Sequence, residues 1–148
     1  MKTVMVSGHF DPFHDGHLSY IKQAIPHIYK KENTETRSGL LICIVSNDAQ
    51  LLKKKGKVNI TEGGRWEIVD LILTGLGVPH RTVVNVWDKG TTLVAEALRE
   101  WRPHIFFRGG DKTLEDMPPE ERRVCDELGI QILHAKLEYD RHGSKMQL

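Results

Sequence analysis

Short β-branched runs alternate with helical patterns along this chain, and that alternation constrains its fold more than any other feature. Thr3 to Ser7, Leu40 to Ser46, Arg81 to Val86, His104 to Arg108 and Ile130 to His134 read as strands. Leu18 to about Ile28, Thr61 to Gly75, Thr91 to Trp101 and Pro118 to Leu128 read as the helices between them. Strand and helix in turn require parallel strands joined by right-handed crossovers, which predicts an α/β layer fold around a continuous apolar sheet. At 148 residues the chain has the size of one domain, taken as residues 1–148.

In such a fold the carboxyl ends of the strands and the amino ends of the following helices share one edge of the sheet, where ligands bind. Gly8 to His17, Asn47 to Asn59, Trp87 to Gly90 and Gly109 to Lys112 each follow a strand and are rich in Gly, Lys, Asp or His. They are expected to meet at that edge, beside unpaired helix N–H groups that suit phosphate. The polar segment Lys30 to Gly39 falls at the opposite edge and is expected to be mobile and without catalytic residues.

Charge narrows the partners. Lys and Arg number 21 against 20 Asp and Glu, so no long-range field favours nucleic acid or an anionic membrane, and an anion site must be a local cluster. No apolar run approaches the roughly 20 residues needed to span a bilayer, and Met1 to Val6 lacks a signal-peptide pattern, so the expected location is the cytoplasm. Cys43 and Cys125 lack a partner motif and read as reduced core thiols.

The richest segment is Gly8-His9-Phe10-Asp11-Pro12-Phe13-His14-Asp15-Gly16-His17. Gly8 permits a tight exit from the strand, Asp11-Pro12 breaks any helix, and Gly16 allows close approach of a ligand to backbone. His14 and His17, three apart at a helix start, can face one bound group. A triphosphate breaking at its α-phosphorus gathers charge on the equatorial oxygens and the leaving pyrophosphate, which imidazole N–H donors stabilise. His9, Asp11, His14 and His17 could alternatively bind a transition metal, although the Gly and Pro framing fits a phosphate loop better.

Other candidates have plainer rivals. Lys53 and Lys54 read as solvated charge, whereas Lys55 precedes Gly56 on the ligand edge and suits phosphate. Arg65 begins the stripe of Val69 and Ile72 and should point inward toward the sheet edge, with a surface salt bridge as its alternative. Gly109-Gly110-Asp111 is either a strand-ending turn or a nucleotide contact, in which Asp111 would bind ribose hydroxyls or help hold magnesium. Trp66, Trp87 and Trp101 read as packing residues, and His27, His80, His104, His134 and His142 receive no role.

The Gly8 to His17 segment resembles the signature of the cytidylyltransferase-like nucleotidyltransferases, a Gly-x-Phe-Asp-x-x-His opening followed by His-x-Gly-His. Ser46-Asn47-Asp48-Ala49, Lys55-Gly56, Val58-Asn59 with Arg65, and Arg108-Gly109-Gly110-Asp111 extend the likeness, which is nearest to the adenylyltransferase domain acting on heptose 1-phosphate and also covers glycerol-3-phosphate cytidylyltransferases. The resemblance implies that Phe10 offers backbone to phosphate and that His14 and His17 bind the α- and β-phosphates. It further implies that Lys55 and Arg65 neutralise phosphate charge and that Gly110 and Asp111 lie along the nucleotide. Gly8, His9, Gly16 and Arg108 fall among the nucleotide contacts, and Asp11 joins Lys55 and Arg65 toward the second substrate. His9 stands where relatives carry a small or β-branched residue. Asp140 to Lys145 falls where relatives open a final helix, here expected to be shortened or absent, with Ser144 as a nucleotide ligand.

The resulting expectation is a Rossmann-like three-layer α/β/α sandwich with a five-stranded parallel sheet. It would transfer AMP or CMP from ATP or CTP, with Mg2+, onto a small phosphorylated acceptor, first a sugar 1-phosphate such as heptose 1-phosphate. A glycerol-3-phosphate-type cytidylyltransferase and a non-catalytic nucleotide-binding module are the alternatives. The expected assembly is a homodimer.

Overall fold

The computed structural model describes residues 1–32 and 35–137. In chain order its elements are β1 (Thr3–Gly8), α1 (Asp15–Ala24), a 3-10 turn (Ile25–Ile28), β2 (Tyr29–Glu32), β3 (Glu35–Ser38), β4 (Leu40–Val45), α2 (Asp48–Lys55), α3 (Glu62–Gly75), β5 (His80–Val84), α4 (Ala95–Trp101), β6 (Ile105–Arg108), α5 (Pro119–Leu128) and β7 (Gln131–His134). Five strands form one parallel sheet in the order β5-β4-β1-β6-β7.

Period-two alternation divides the core between the two sheet faces. Val4, Val6, Leu41, Cys43, Val45, Ile105 and Phe107 cluster with Ile21 and Ala24 of α1 and with Val69 and Leu73 of α3. Met5, Ile42, Ile44 and Phe106 cluster instead with Ala97 and Leu98 of α4 and with Val124 and Cys125 of α5. Each large aliphatic side chain buried this way contributes about 1.5–3 kcal/mol, so the three-layer arrangement expected from the sequence follows from strands that are apolar on both faces. Cys43 and Cys125 are buried and free, with burial pushing both thiols up.

From β1 the chain steps outward to β4 and β5, then returns to β6 on the other side of β1, so the connections diverge between β1 and β6. Ligand crevices in open α/β sheets form at such a point. Here β1 and β6 are paired at Val4 with Ile105 and Met5 with Phe106. Beyond that pair the Tyr20 hydroxyl stands between the strands, accepting from Ser7 N–H at 3.1 Å and donating to the Phe107 carbonyl at 2.5 Å. Burial pushes the Tyr20 pKa far up, so the phenol keeps the proton it donates.

Three elements differ from the sequence reading. The segment expected to be mobile holds an antiparallel pair, β2 with β3, in which Tyr29 faces Ser38 and Glu32 faces Glu35. Its polar residues have no apolar alternation to announce a strand. Within the Asn47 to Asn59 stretch, to which the sequence reading assigns no helix, lies α2, whose Asn47 side chain accepts from Gln50 N–H at 2.8 Å while Gln50 accepts from Asn47 N–H at 3.1 Å. The helix expected from Thr91 begins at Ala95, because the buried Asp88 carboxylate takes the N–H groups of Glu96 and Ala97 at 2.7 and 3.0 Å. Asp88 therefore closes a helix end and does not line the ligand crevice.

Candidate active site

At the carboxyl edge of the sheet lies a hollow of about 840 Å3. Gly8, His9, Phe10, Asp11, His14, Gly16, His17, Lys55, Gly110 and Asp111 line it, bringing together residues from the loops and helices that follow β1, β4 and β6. A smaller hollow of about 290 Å3 opens beside it and shares His9, Lys55 and Lys112 with the larger one. Arg108 lines only the smaller hollow, and Arg65 lines neither. Ser144 lies outside the described residues.

The start of α1 determines which imidazole nitrogens face the hollow. His14 is the N-cap, and its Nδ1 accepts from Gly16 N–H at 3.0 Å. His17 occupies the third helical position, and its Nδ1 accepts from His14 N–H at 3.2 Å. A backbone N–H can only donate, so each Nδ1 is unprotonated and each ring carries its hydrogen on Nε2. This reciprocal cap resembles the usual Ser-x-x-Glu box, with imidazoles in both places. The rings stack with centroids 3.8 Å apart and planes 23° apart. Gly16, expected to offer its backbone to a ligand, has its N–H engaged by His14.

His9 follows the same pattern through a side chain. Arg65 Nη1 donates to Ser46 Oγ at 3.2 Å, and Ser46 Oγ lies 2.6 Å from His9 Nδ1. Every group is satisfied when Ser46 accepts from arginine and donates to Nδ1, which again leaves the proton on Nε2. Desolvation and the nearby charges of Lys55, Arg65 and Lys54 lower the His9 pKa to about 4. Burial, with His14 and His9 close by, lowers that of His17 to about 4. The site therefore presents neutral Nε2–H donors beside Lys55, an arrangement that offers an anion hydrogen bonds from the imidazoles and positive charge from the lysine.

Phe10 anchors this loop. It is buried at φ 53°, with its ring centroid 5.7 Å from Phe13 and 5.0 Å from His17. Gly8 leaves room for it, since a β-carbon there would stand 2.8 Å from the Phe10 ring. Among the described residues, no group of three or more His, Cys, Asp or Glu side chains is arranged to hold a metal ion. The transition-metal reading of His9, Asp11, His14 and His17 therefore has no geometric support.

Comparison with known proteins agrees with this construction. Residues 5–142 match the family described as Cytidylyltransferase-like. The chain belongs to that family. Relatives of this cytidylyltransferase-like chain include the "Bifunctional protein HldE" of Shewanella sp. strain MR-4, 31% identical over 135 residues, covering 89% of this chain and 24% of the relative. The protein of the same name from Aliivibrio fischeri strain MJ11 is 30% identical over 118 residues, covering 78% of this chain and 21% of the relative. The chain thus spans about a quarter of the length of the curated relatives it matches. A lipopolysaccharide core biosynthesis protein from Thermoplasma volcanium GSS1 shares the fold at a TM-score of 0.65 and 22% identity, covering 93% of this chain and 99% of that one. No helix among the described residues is long and apolar enough to cross a membrane.

Several residues of this cytidylyltransferase-like site make contacts within the protein that the sequence did not announce. Arg65 points inward as its helical stripe predicted, but it is fully buried behind the hollow. Its guanidinium donates to the carbonyls of Ile60, His9 and Ser46 at 2.8–2.9 Å and to Asp48 at 2.8 Å. It joins the loops after β1 and β4 and, unlike Lys55, lines neither hollow. Asp11, expected to meet the second substrate, accepts from Asn59 N–H at 2.8 Å and Ile60 N–H at 2.7 Å. Desolvation opposes its charge, but those two donors and Arg65 outweigh it and hold the carboxyl below the usual range. Arg108 donates to the Thr113 carbonyl at 2.6 Å and to His134 Nε2 at 3.1 Å, bracing the loop that carries Asp111.

Gly110 has a close-packing reason: a β-carbon there would stand 2.8 Å from Leu137 N and 2.9 Å from the Lys136 carbonyl carbon. That segment after β7 is also clamped by Gln23, which accepts from Lys136 N–H at 2.7 Å and donates to Lys136 O at 2.9 Å. Sequence reasoning missed Tyr20, Gln23 and Lys136 in the hollow wall, while Lys112 lies there as part of the segment expected at the edge. Tyr20 follows His17 by three residues and Gln23 follows Tyr20 by three, so the helix row that runs through every third residue could have identified them. Lys54, read as solvated, lines the smaller hollow, while Lys53 donates to the Gly90 carbonyl at 3.0 Å.

Proposed function

We propose that this protein is a nucleotidyltransferase that moves AMP or CMP from ATP or CTP to a phosphorylated acceptor, foremost a sugar 1-phosphate such as heptose 1-phosphate. The reading rests above all on the imidazoles of His14 and His17, locked by the helix cap with Nε2–H free for phosphate. An acceptor phosphate oxygen bonds to the α-phosphorus, the bond from that phosphorus to the bridging oxygen breaks, and the electron pair leaves on pyrophosphate. The acceptor oxygen is already ionised near neutral pH, so no general base is required. The residues have to orient the chain of phosphates and stabilise charge as it moves outward.

His14 and His17 would donate to oxygens of the α- and β-phosphates, and Lys55 would supply a point charge at the junction of the two hollows. Phe10 backbone, Gly110 and Asp111 would lie along the nucleotide, with Asp11 and Arg65 holding the loops in register. Mg2+ bound to the triphosphate would neutralise phosphate charge, and Asp111 offers a carboxylate in the wall of the hollow toward it.

The test is pyrophosphate release with ATP or CTP, Mg2+ and a panel of heptose 1-phosphate, other sugar 1-phosphates and glycerol 3-phosphate. Acceptor-dependent release supports the reading, and the productive pair names the nucleotide and acceptor. Nucleotide binding without release for every pair would assign the protein instead to a non-catalytic binding role.

A further inference from the structure

We infer that the smaller hollow holds the hydroxyl-bearing body of the acceptor, and that Glu121 and Thr92 read its hydroxyl groups. This rests on the transfer reading above and adds the residues that distinguish one phosphorylated acceptor from another. A volume of about 290 Å3 equals that of about ten water molecules, enough for a sugar-sized body and much smaller than the adjoining hollow of about 840 Å3. The two hollows meet at His9, Lys55 and Lys112. In-line displacement places the attacking oxygen and the leaving pyrophosphate on opposite sides of the phosphorus, which matches two hollows joined at a cationic neck.

The lining offers hydrogen-bond acceptors for a polyol beside cations for its phosphate. Glu121 is 6% exposed, lines the smaller hollow, and accepts Val94 N–H at 3.0 Å through Oε2. Its carboxyl can accept sugar hydroxyls, while Lys54, Lys55, Arg108 and Lys112 in the same lining supply positive charge for the acceptor's phosphate. Thr92 adds a hydroxyl at the exposed rim. The adjacent Leu93 carbonyl is held by Gln50 Nε2 at 3.0 Å and Asn85 Nδ2 at 3.2 Å, so this rim is set before any ligand arrives. Ile44 and Phe106 supply apolar surface for the carbon face of a sugar.

The inference is tested by calorimetric titration of wild type, Glu121→Gln and Thr92→Val with mannose 1-phosphate, inorganic phosphate and ATP with Mg2+. In Glu121→Gln the amide oxygen would still accept from Val94 N–H, and Thr92→Val nearly preserves shape at an exposed position, so at least one variant retains the fold. In both, mannose 1-phosphate is expected to bind about fivefold more weakly, while inorganic phosphate and ATP bind as in wild type. Unchanged mannose 1-phosphate binding, or an equal loss of inorganic phosphate, overturns the inference. So does a wild type that does not prefer mannose 1-phosphate to inorganic phosphate. Absence of pyrophosphate release alongside the expected binding pattern would remove the transfer reading and leave this site standing. Release with an unaltered acceptor KM in both variants would do the reverse.

Discussion

The two roles given to His17, helix cap by its geometry and phosphate donor by the proposed transfer, can be separated by substitution. His17→Ala removes both functions. Losing the acceptor for His14 N–H costs about 0.5–2 kcal/mol, as loss of a capping interaction does, which lowers Tm by roughly 2–8 °C for a domain near 150 residues. Losing one preorganised donor costs about 2.7–4 kcal/mol in the transition state, or about a hundredfold to a thousandfold in kcat. His17→Gln separates the two losses, because glutamine is an ordinary residue at this position of a capping box and can accept from His14 N–H. Its amide cannot at the same time present a donor where Nε2 stood. The expected result is wild-type thermal stability within about 0.5 kcal/mol together with the full loss in kcat. Thermal denaturation and pyrophosphate release measure the two quantities on the same preparation. A His17→Gln variant with wild-type turnover would refute the assigned donor, and one as unstable as His17→Ala would refute the capping argument.

Acid should weaken the fold through His9 and His17, whose pKa values near 4 lie below the unfolded value of 6.5. Their contribution is present above about pH 6.5 and declines between pH 6.5 and 4, because the unfolded chain then binds more protons; urea titrations across that range give the slope, which His17→Gln should reduce. Asp11→Ala should lower stability by about 1 kcal/mol, by loss of the Asn59 and Ile60 hydrogen bonds in a partly exposed setting, and should raise KM as the loop after α2 loosens. Gly110→Ala should cost about 1–3 kcal/mol and weaken ATP or CTP binding, because the new methyl group meets the backbone of Lys136 and Leu137. Arg65→Met should destabilise the protein by roughly 3 kcal/mol in urea, since the carbonyls of His9, Ser46 and Ile60 lose their donor, whereas a surface salt bridge would cost little.

What the sequence disclosed follows from where it concentrated its signals. The sheet strands were legible because Val4, Val6, Ile42, Ile44 and Phe106 make apolar runs with few other outcomes. The second helix was not, since only Gln50 and Leu51 of its eight residues are buried and no stripe forms. Its signal lay in the Asn47-to-Gln50 capping pair. The strands Tyr29–Glu32 and Glu35–Ser38 pair through backbone with side chains that show no apolar alternation. At the site, Gly8 to His17 announced the segment that lines the larger hollow, but the partners of Arg65 are mostly backbone carbonyls, which no residue pattern encodes. Glu121 resembles any acid in a first helical turn, and only the fold places it in the smaller hollow.

The central claim is that the bond broken is at the α-phosphorus, with the nucleoside monophosphate passing to an acceptor phosphate. Incubation with ATP or CTP labelled at the α-phosphate, Mg2+ and the sugar 1-phosphate panel tests this directly. The expected result is label in a nucleotide-activated sugar, with unlabelled pyrophosphate formed in equal amount. Label recovered only in free mononucleotide, or left in a nucleoside diphosphate after transfer of the γ-phosphate, would contradict the claim.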